Sequence, residues 1–448
     1  MASHTDWHAE LPPDSATTAP KAPHAAPLAE LAWRELLFQH TEGLGAALQG
    51  GTVSGYCGFD PTASSLHVGN LIPVMGLVHL QRAGHRPVAL VGGGTGMIGD
   101  PSGRSSERNL QDLDTIRGNA EAIRAQLAKF LDFEGPNGAK LVNNADWLAT
   151  LSLLDFLRDT GKHFSINYML AKDSVKSRLE GGISFTEFSY MLLQAFDFLE
   201  LHRREGVTLQ LGGSDQWGNI TAGLELIRRT TGAEAHALTF PLITNADGTK
   251  FGKSTGGGSV WLDPARTSPY QFYQFWIGAD DRDVSRYLRF FTLLPQAEIE
   301  ALDEAVRTAP ERRAAQRALA VDVTARVHGA DAARVAQEVS ALLFEKADPQ
   351  GLSDGALAAL RAEIPFATYA PPADNPPAAG IDIFECLTLL GIAASRGAAK
   401  RLLEQGGISV NGAKLTGADR VIGEAQLLRG RHLLVRKGQR EFGLVQVP

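Results

Sequence analysis

Between residue 52 and about residue 230 strand-like and helix-like stretches alternate, and this alternation restricts the fold more than any other property of the chain. "TVSGYCGF" reads as a strand, 68–83 as a helix, "RPVALVGG" as a buried strand and 110–132 as an amphipathic helix. "VTLQLGG" is a further strand, and Asp215 opens a helix that runs to about residue 230. Strands separated by helices pair in parallel, because each crossover returns the chain to the same end of the sheet. A Rossmann-like, doubly wound parallel sheet with covering helices is therefore expected over residues 28–268.

At 448 residues the chain exceeds one core, so further domains should follow. Residues 269–364 read as almost entirely helical, with Ala-rich amphipathic stretches such as "ERRAAQRALAVDVTARVHG". The segment 365–380, "PFATYAPPADNPPAAG", holds five prolines in sixteen residues and reads as an extended linker. Beyond it, residues 381–448 give a basic helix, a Gly-Gly stop and a short strand-turn, a small α+β module. Residues 1–27 are rich in Ala, Pro and small polar residues and read as a disordered arm.

The net charge of −7 is unevenly spread. Residues 380–448 carry ten Lys/Arg against six Asp/Glu, whereas the first 379 residues carry 33 against 44. A basic module on an acidic body points to a polyanion, with Arg396, Lys400 and Arg401 on its helix as the candidate RNA contacts. No apolar run reaches the length of a membrane span, and the N-terminal segment lacks a signal core. Two cysteines, Cys57 and Cys386, are too few for a disulfide framework or a zinc cluster. The expected compartment is the cytoplasm.

Five stretches carry candidate chemistry. In "GFDPTASSLHVGN" (58–70), Ser64-Ser65 can cap a helix whose first turn holds His67 and Asn70. A helix N-terminus attracts phosphate, and these side chains, with Thr62 on the approach, add donors to it. Gly69 leaves room for a flat ligand beside the backbone. In "GGGTGMIGDPSGR" (92–104), Gly94–Gly99 formally match a dinucleotide fingerprint, yet more turn residues follow where a helix should open. That stretch reads instead as a glycine-rich substrate loop offering Asp100, with Arg104 and Arg108 after it. Tyr190, Gln194 and Asp197 share one face of an otherwise apolar helix. They form either an internal hydrogen-bond network or a ligand pocket. "GGSDQWGN" (212–219) places Asp215 and Gln216 at a strand's carboxyl end, where open α/β sheets bind ligands. "NADGTKFGKSTGGGS" (245–259) is not a Walker loop, because its glycine spacing is one residue short. It is a flexible loop whose Lys250 and Lys253 can close over a polyphosphate.

Together these motifs resemble bacterial-type tyrosyl-tRNA synthetases, a branch of the class I aminoacyl-tRNA synthetases. "LHVGN" is similar to the HIGH signature, with Asn70 for its second histidine, and "KFGKS" to KMSKS, with Phe251-Gly252 for Met-Ser. "YCGFDPT", "GDPSG", "EFSYMLLQAFDF" and "GGSDQWGN" match the tyrosine family, and the C-terminal module resembles an S4-type RNA-binding domain. The resemblance covers roughly residues 28–448. It implies that Tyr56 and Asp197 hold the substrate phenol, and Asp100, Tyr190 and Gln194 its ammonium group. Cys57, Gly58, Asp60, Gly69, Gly213, Asp215 and Gln216 then lie along the nucleotide. Thr62, His67, Asn70, Lys250 and Lys253, with Arg104 and Arg108, serve the transition state and pyrophosphate. The resemblance also implies ATP as substrate with Mg²⁺ and no dedicated protein metal site, tRNA(Tyr) as partner, and a homodimer. Two other readings are an NAD-dependent oxidoreductase built on Gly94–Gly99 and a non-catalytic RNA-binding protein that kept the fold.

Overall fold

The computed structural model describes residues 26–102, 111–179, 182–253, 256–370 and 380–447. The expected disordered arm, Arg104, Arg108 and most of the proline-rich linker lie outside the described residues. The chain divides into two compact units, one running through Ser268 and adding Phe275–Val327, the other comprising Pro269–Gln274 and His328–Pro448.

The first unit is built on a six-stranded sheet of β1 (Gln39–His40), β2 (Ser54–Phe59), β3 (Arg86–Val91), β4 (Lys140–Asn143), β5 (Val207–Gly213) and β6 (His236–Phe240). Its strand order is β1-β6-β5-β2-β3-β4, parallel throughout except for the antiparallel edge pair β1–β6. The apolar character of "RPVALV" follows from this position: β3 is flanked on both sides and buried from Pro87 onward. The chain leaves β2 toward β3 and β4, then returns to the other side of β2 as β5. The strand order therefore reverses between β2 and β5, and a crevice opens at their carboxyl ends.

The helices also have local causes. Phe185–Glu205 starts at Ser184, whose hydroxyl accepts from the Glu187 N–H, and stops at left-handed Gly206. Its apolar residues Ala195, Phe198 and Leu199 enter a core shared with Tyr56, Val88 and Leu226. The helix expected over 68–83 begins with a 3₁₀ turn, Val68–Asn70, before Leu71–Arg82. Ser65 does not cap it. Its hydroxyl donates to Leu66 O, and His67 is the cap instead.

In the second unit, β7 (Phe366–Thr368), β9 (Ile408–Val410), β10 (Ala413–Lys414), β12 (His432–Lys437) and β13 (Glu441–Gln446) form a sheet ordered β10-β9-β12-β13-β7. β8 (Ile381–Asp382) pairs with β11 (Val421–Ile422) separately. Two expectations change here. The supposed linker begins as a strand, because Phe366–Thr368 pairs in parallel with Leu444–Gln446. The helical stretch 269–364 is not one body either, since the division falls at Val327/His328. The physical reason is a shared core: Leu342, Leu357 and Leu360, on helices Ala330–Phe344 and Asp354–Glu363, pack with Leu434, Phe442 and Leu444. Arg396, Lys400 and Arg401 sit exposed on helix Arg396–Glu404, which Ser395 caps. Arg396 is ion-paired with Asp382 at 2.5 Å, and Asp382 also receives Arg420.

Candidate active site

A cavity of ≈ 320 Å³ opens at the carboxyl ends of β2 and β5, and all of its lining residues belong to the first unit. Tyr56, Cys57, Gly58, Asp60, Thr62, His67, Asn70, Asp100, Tyr190, Gln194, Asp197, Gly213 and Gln216 contribute to that lining, so residues from four of the five stretches meet in one place. Gly69, Asp215, Lys250 and Lys253 stand beside it rather than in it.

One end of the cavity is closed by Tyr56 and Asp197. The Tyr56 hydroxyl is buried and has no hydrogen-bond partner among the described residues. Burial raises its pKa well above the usual phenol value, and the nearby Asp197 carboxylate raises it further. Asp197 accepts from the Asn144 amide (2.8 Å) and from the Trp147 indole N–H (2.7 Å), one donor on each oxygen. Burial pushes its carboxyl up to about 7 against the pull of those two donors. Since the folded-state value lies above the unfolded one, Asp197 costs the fold stability as pH rises from about 4 toward 7. Such a cost is typical of a functional carboxylate.

Above this pair the polar groups form a connected set. Tyr190 donates to Asp60 Oδ2 at 2.9 Å, and Thr95 donates to Asp60 Oδ1 at 2.8 Å. Gln216 Nε2 donates to Asp100 Oδ2 at 2.7 Å, while Asn219 Nδ2 donates to Gln194 Oε1 at 3.0 Å. Burial, then the Asp100 charge, raises the Asp215 carboxyl. The Cys57 thiol is pushed up to about 12 by burial, so it is no thiolate nucleophile.

At the other end, the Gly69 N–H donates to His67 Nδ1 at 3.1 Å. The imidazole proton therefore sits on Nε2, which makes that nitrogen a donor. Burial first, and then the Lys250 and Lys253 charges, hold His67 below its usual basicity. Gly69 serves the histidine rather than clearing space for a ligand, because a Cβ there would come 2.9 Å from His67 Cε1. Asn70 Oδ1 accepts from the His67 backbone N–H at 3.0 Å, which leaves the amide nitrogen as a donor. The Gly94–Gly99 stretch does not open a long helix. It forms a single 3₁₀ turn, Thr95–Met97, and Gly94 N–H is taken by Asn144 Oδ1 at 2.7 Å. The dinucleotide reading lacks its helix and is not favoured.

Sequence reading missed Asn144, Trp147, Thr95, Gln210 and Asn219. Asn144 and Trp147 follow β4 in "VNNADW", a strand carboxyl end of the kind that marked Asp215, so the same rule could have found them. Gln210 lies inside a buried strand, where nothing in the sequence separates a site residue from a core one.

A sheet reversing at β2/β5, a donor-rich helix start and a doubly basic loop define a class I aminoacyl-tRNA synthetase. Residues 49–345 match the family model of class I tRNA synthetases (W and Y), and residues 367–445 match that of the tyrosine–tRNA ligase SYY-like C-terminal domain. The chain belongs to the tyrosine–tRNA ligase family of that class. It is 54% identical over 420 residues to a tyrosine–tRNA ligase of Anaeromyxobacter dehalogenans, covering 94% of this chain and 99% of the relative. It is 52% identical over 424 residues to that of Bacillus caldotenax, with 94% and 99% covered. A C-terminally truncated mitochondrial tyrosyl-tRNA synthetase of Aspergillus nidulans superposes with a TM-score of 0.65 at 32% identity, covering 71% of this chain and 94% of that one.

Proposed function

We propose that the cavity holds L-tyrosine with its phenol against Tyr56 and Asp197 and its carboxylate against the α-phosphate of ATP. The chain is a tyrosine–tRNA ligase. It activates L-tyrosine with ATP to tyrosyl-adenylate and pyrophosphate, then transfers tyrosine to the 3′-terminal adenosine of tRNA(Tyr). The observation that carries the assignment of the pocket is the unpartnered, buried Tyr56 hydroxyl beside the doubly donated carboxylate of Asp197. Buried polar groups are normally paired, and a tyrosine phenol supplies the missing partner.

In the first step a carboxylate oxygen of tyrosine attacks the α-phosphorus, a new P–O bond forms, and the bond to the β-phosphate breaks. The carboxylate is already ionised at neutral pH, so no general base is needed. Catalysis is positioning and charge stabilisation. Asp100, Tyr190 and Gln194 hold the ammonium group. Cys57, Gly58, Asp60, Gly213, Asp215 and Gln216 line the adenylate. His67 Nε2, Asn70, Thr62, Lys250 and Lys253 meet charge as it moves onto pyrophosphate, and Mg²⁺ enters with ATP. ATP–pyrophosphate exchange across the amino acids tests the assignment. Exchange that depends on tyrosine is expected, and exchange without it overturns the pocket reading.

The acid side of this activity follows from Asp197. Below about pH 7 its carboxyl is protonated in the free enzyme, so kcat/KM for tyrosine should fall as pH drops through that region. Asn144→Ala removes a donor that favours the ionised form. The acid limb should then move to higher pH, with about a tenfold loss at neutral pH. An unmoved limb would remove Asp197 from phenol recognition.

We also propose a homodimer working in the cytoplasm, with tRNA contacts from Arg396, Lys400 and Arg401. Support for the dimer is the exposure of four large apolar side chains: Leu153 (70%), Leu154 (77%), Ile166 (60%) and Phe185 (79%). Phe185→Asp should leave a particle with the mass of one 48.0 kDa chain in analytical ultracentrifugation. A dimer unchanged by this substitution would place the interface elsewhere. No helix among the described residues is long and apolar enough to cross a membrane.

A further inference from the structure

The loop that carries both lysines is fastened on each side. On its rising limb Arg286 donates to Thr244 O (2.6 Å), Tyr287 donates to Asn245 Oδ1 (2.8 Å), and the Ala246 N–H donates to Asp283 Oδ2 (2.9 Å). All three partners lie on helix Asp281–Phe291. On its falling limb the Val68 N–H donates to Val260 O (3.0 Å), and the Leu262 N–H donates to Leu66 O (2.9 Å). The loop thus joins that helix to the strand-like segment leading into His67.

Between the two limbs stands Phe251, 6% exposed, while Lys250 and Lys253 on either side of it are exposed. Its ring stacks on Phe291 with centroids 5.4 Å apart and planes 10° apart. It also meets Tyr287 at 5.1 Å, Phe275 at 5.6 Å and Trp276 at 5.9 Å. Immediately after it, Gly252 takes φ +84°, and a Cβ there would lie 3.0 Å from Val68 Cγ2. A left-handed residue without a side chain is what lets the chain turn against the His67 segment at this point. A solvated, flexible loop tip has no need of a ring enclosed by four aromatic neighbours. Gly252, between the two lysines, thus lies against Val68, the residue after His67, and the lysine charges lower the basicity of that imidazole.

We propose that Phe251 is a positioning residue for adenylate formation. Seated in the cage of Phe275, Trp276, Tyr287 and Phe291, it fixes the loop so that Lys250 and Lys253 are presented together toward the triphosphate. The cage immobilises the backbone between the lysines during folding, so less ordering remains to be done in the transition state. The proposal rests on the reading of Lys250 and Lys253 as the cations that meet pyrophosphate.

The test is a double-mutant cycle in ATP–pyrophosphate exchange, with tyrosine KM and thermal unfolding measured on each variant. Phe251→Ala should lower kcat about 10- to 100-fold and leave the KM for tyrosine within about twofold. Phe251→Leu, which keeps the apolar volume but not the stack on Phe291, should lose about 3- to 10-fold and remain folded. In a chain already carrying Lys250→Ala and Lys253→Ala, Phe251→Ala should cost less than about twofold more, because the groups it positions are gone. Full additivity in that background overturns the proposal, as does wild-type kcat in both Phe251 variants. If Phe251→Ala fails to fold, the same cycle run with Phe251→Leu decides between these outcomes. Wild-type activity after loss of both lysines overturns the reading of the lysines, and the positioning role with it.

Discussion

Replacing Asp197 by alanine is expected to lower kcat/KM for tyrosine in ATP–pyrophosphate exchange by about one to two orders of magnitude, while phenylalanine changes only a few fold. The substitution removes the acceptor proposed for the substrate phenol, a charge-assisted bond worth about 1.5–3 kcal/mol. It also leaves the Asn144 amide and the Trp147 indole N–H, which now donate to Asp197, pointing at a methyl group. A buried donor without a partner costs about 1–3 kcal/mol. That cost is present with either substrate, so the tyrosine-specific loss is the bond itself, about 1.5–3 kcal/mol or roughly 10- to 150-fold. Phenylalanine brings no hydroxyl and so never used the bond, which makes the ratio of the two substrates the sharper readout. An unchanged preference for tyrosine would place the selectivity elsewhere in the cavity.

Removing residues 380–448 should reduce tRNA charging by at least about two orders of magnitude while tyrosine-dependent pyrophosphate exchange stays within about twofold. Every residue lining the cavity lies in the first unit, whereas the +4 charge of the tail lies in the second. Lost phosphate contacts weaken binding steeply at physiological salt. The cut is not a clean one. It strips β12 and β13 from Leu342, Leu357 and Leu360, whose apolar faces would then be bare. The shortened chain should therefore bind a hydrophobic dye and aggregate more readily than the full chain. Equal loss of charging and exchange would count against the division of labour between the units.

The sequence made the parallel sheet legible because buried strands and amphipathic helices leave different periods. Tyr190, Gln194 and Asp197, which line the cavity, were also visible, since polar groups are out of place on an apolar helix. Groups acting at one remove were not visible. Asn144 and Trp147 orient Asp197 from a different strand end, and no local spacing connects residues 50 positions apart. The second boundary was misplaced for a related reason. Proline density over 365–380 marked an interruption, but Phe366–Thr368 finds its partner in Leu444–Gln446 at the far end of the chain. The sequence shows Phe251 only as standing for Met in a signature, because its cage comes from two helices further along the chain.

The strand order has a consequence for synthesis on the ribosome. β2, whose carboxyl end lines the cavity, ends at Phe59, but its second neighbour β5 begins only at Val207. At translation speeds of about 5–20 residues per second, that interval lasts roughly 7–30 s. Once β3 (Arg86–Val91) has been made, the nascent sheet has β3 on one side of β2 and an open row of backbone donors and acceptors on the other. The same pairing that creates the crevice therefore sets a waiting time during which a central strand is temporarily an edge. Synonymous codon changes that slow elongation between residues 60 and 207 should lengthen that exposure without altering the finished enzyme.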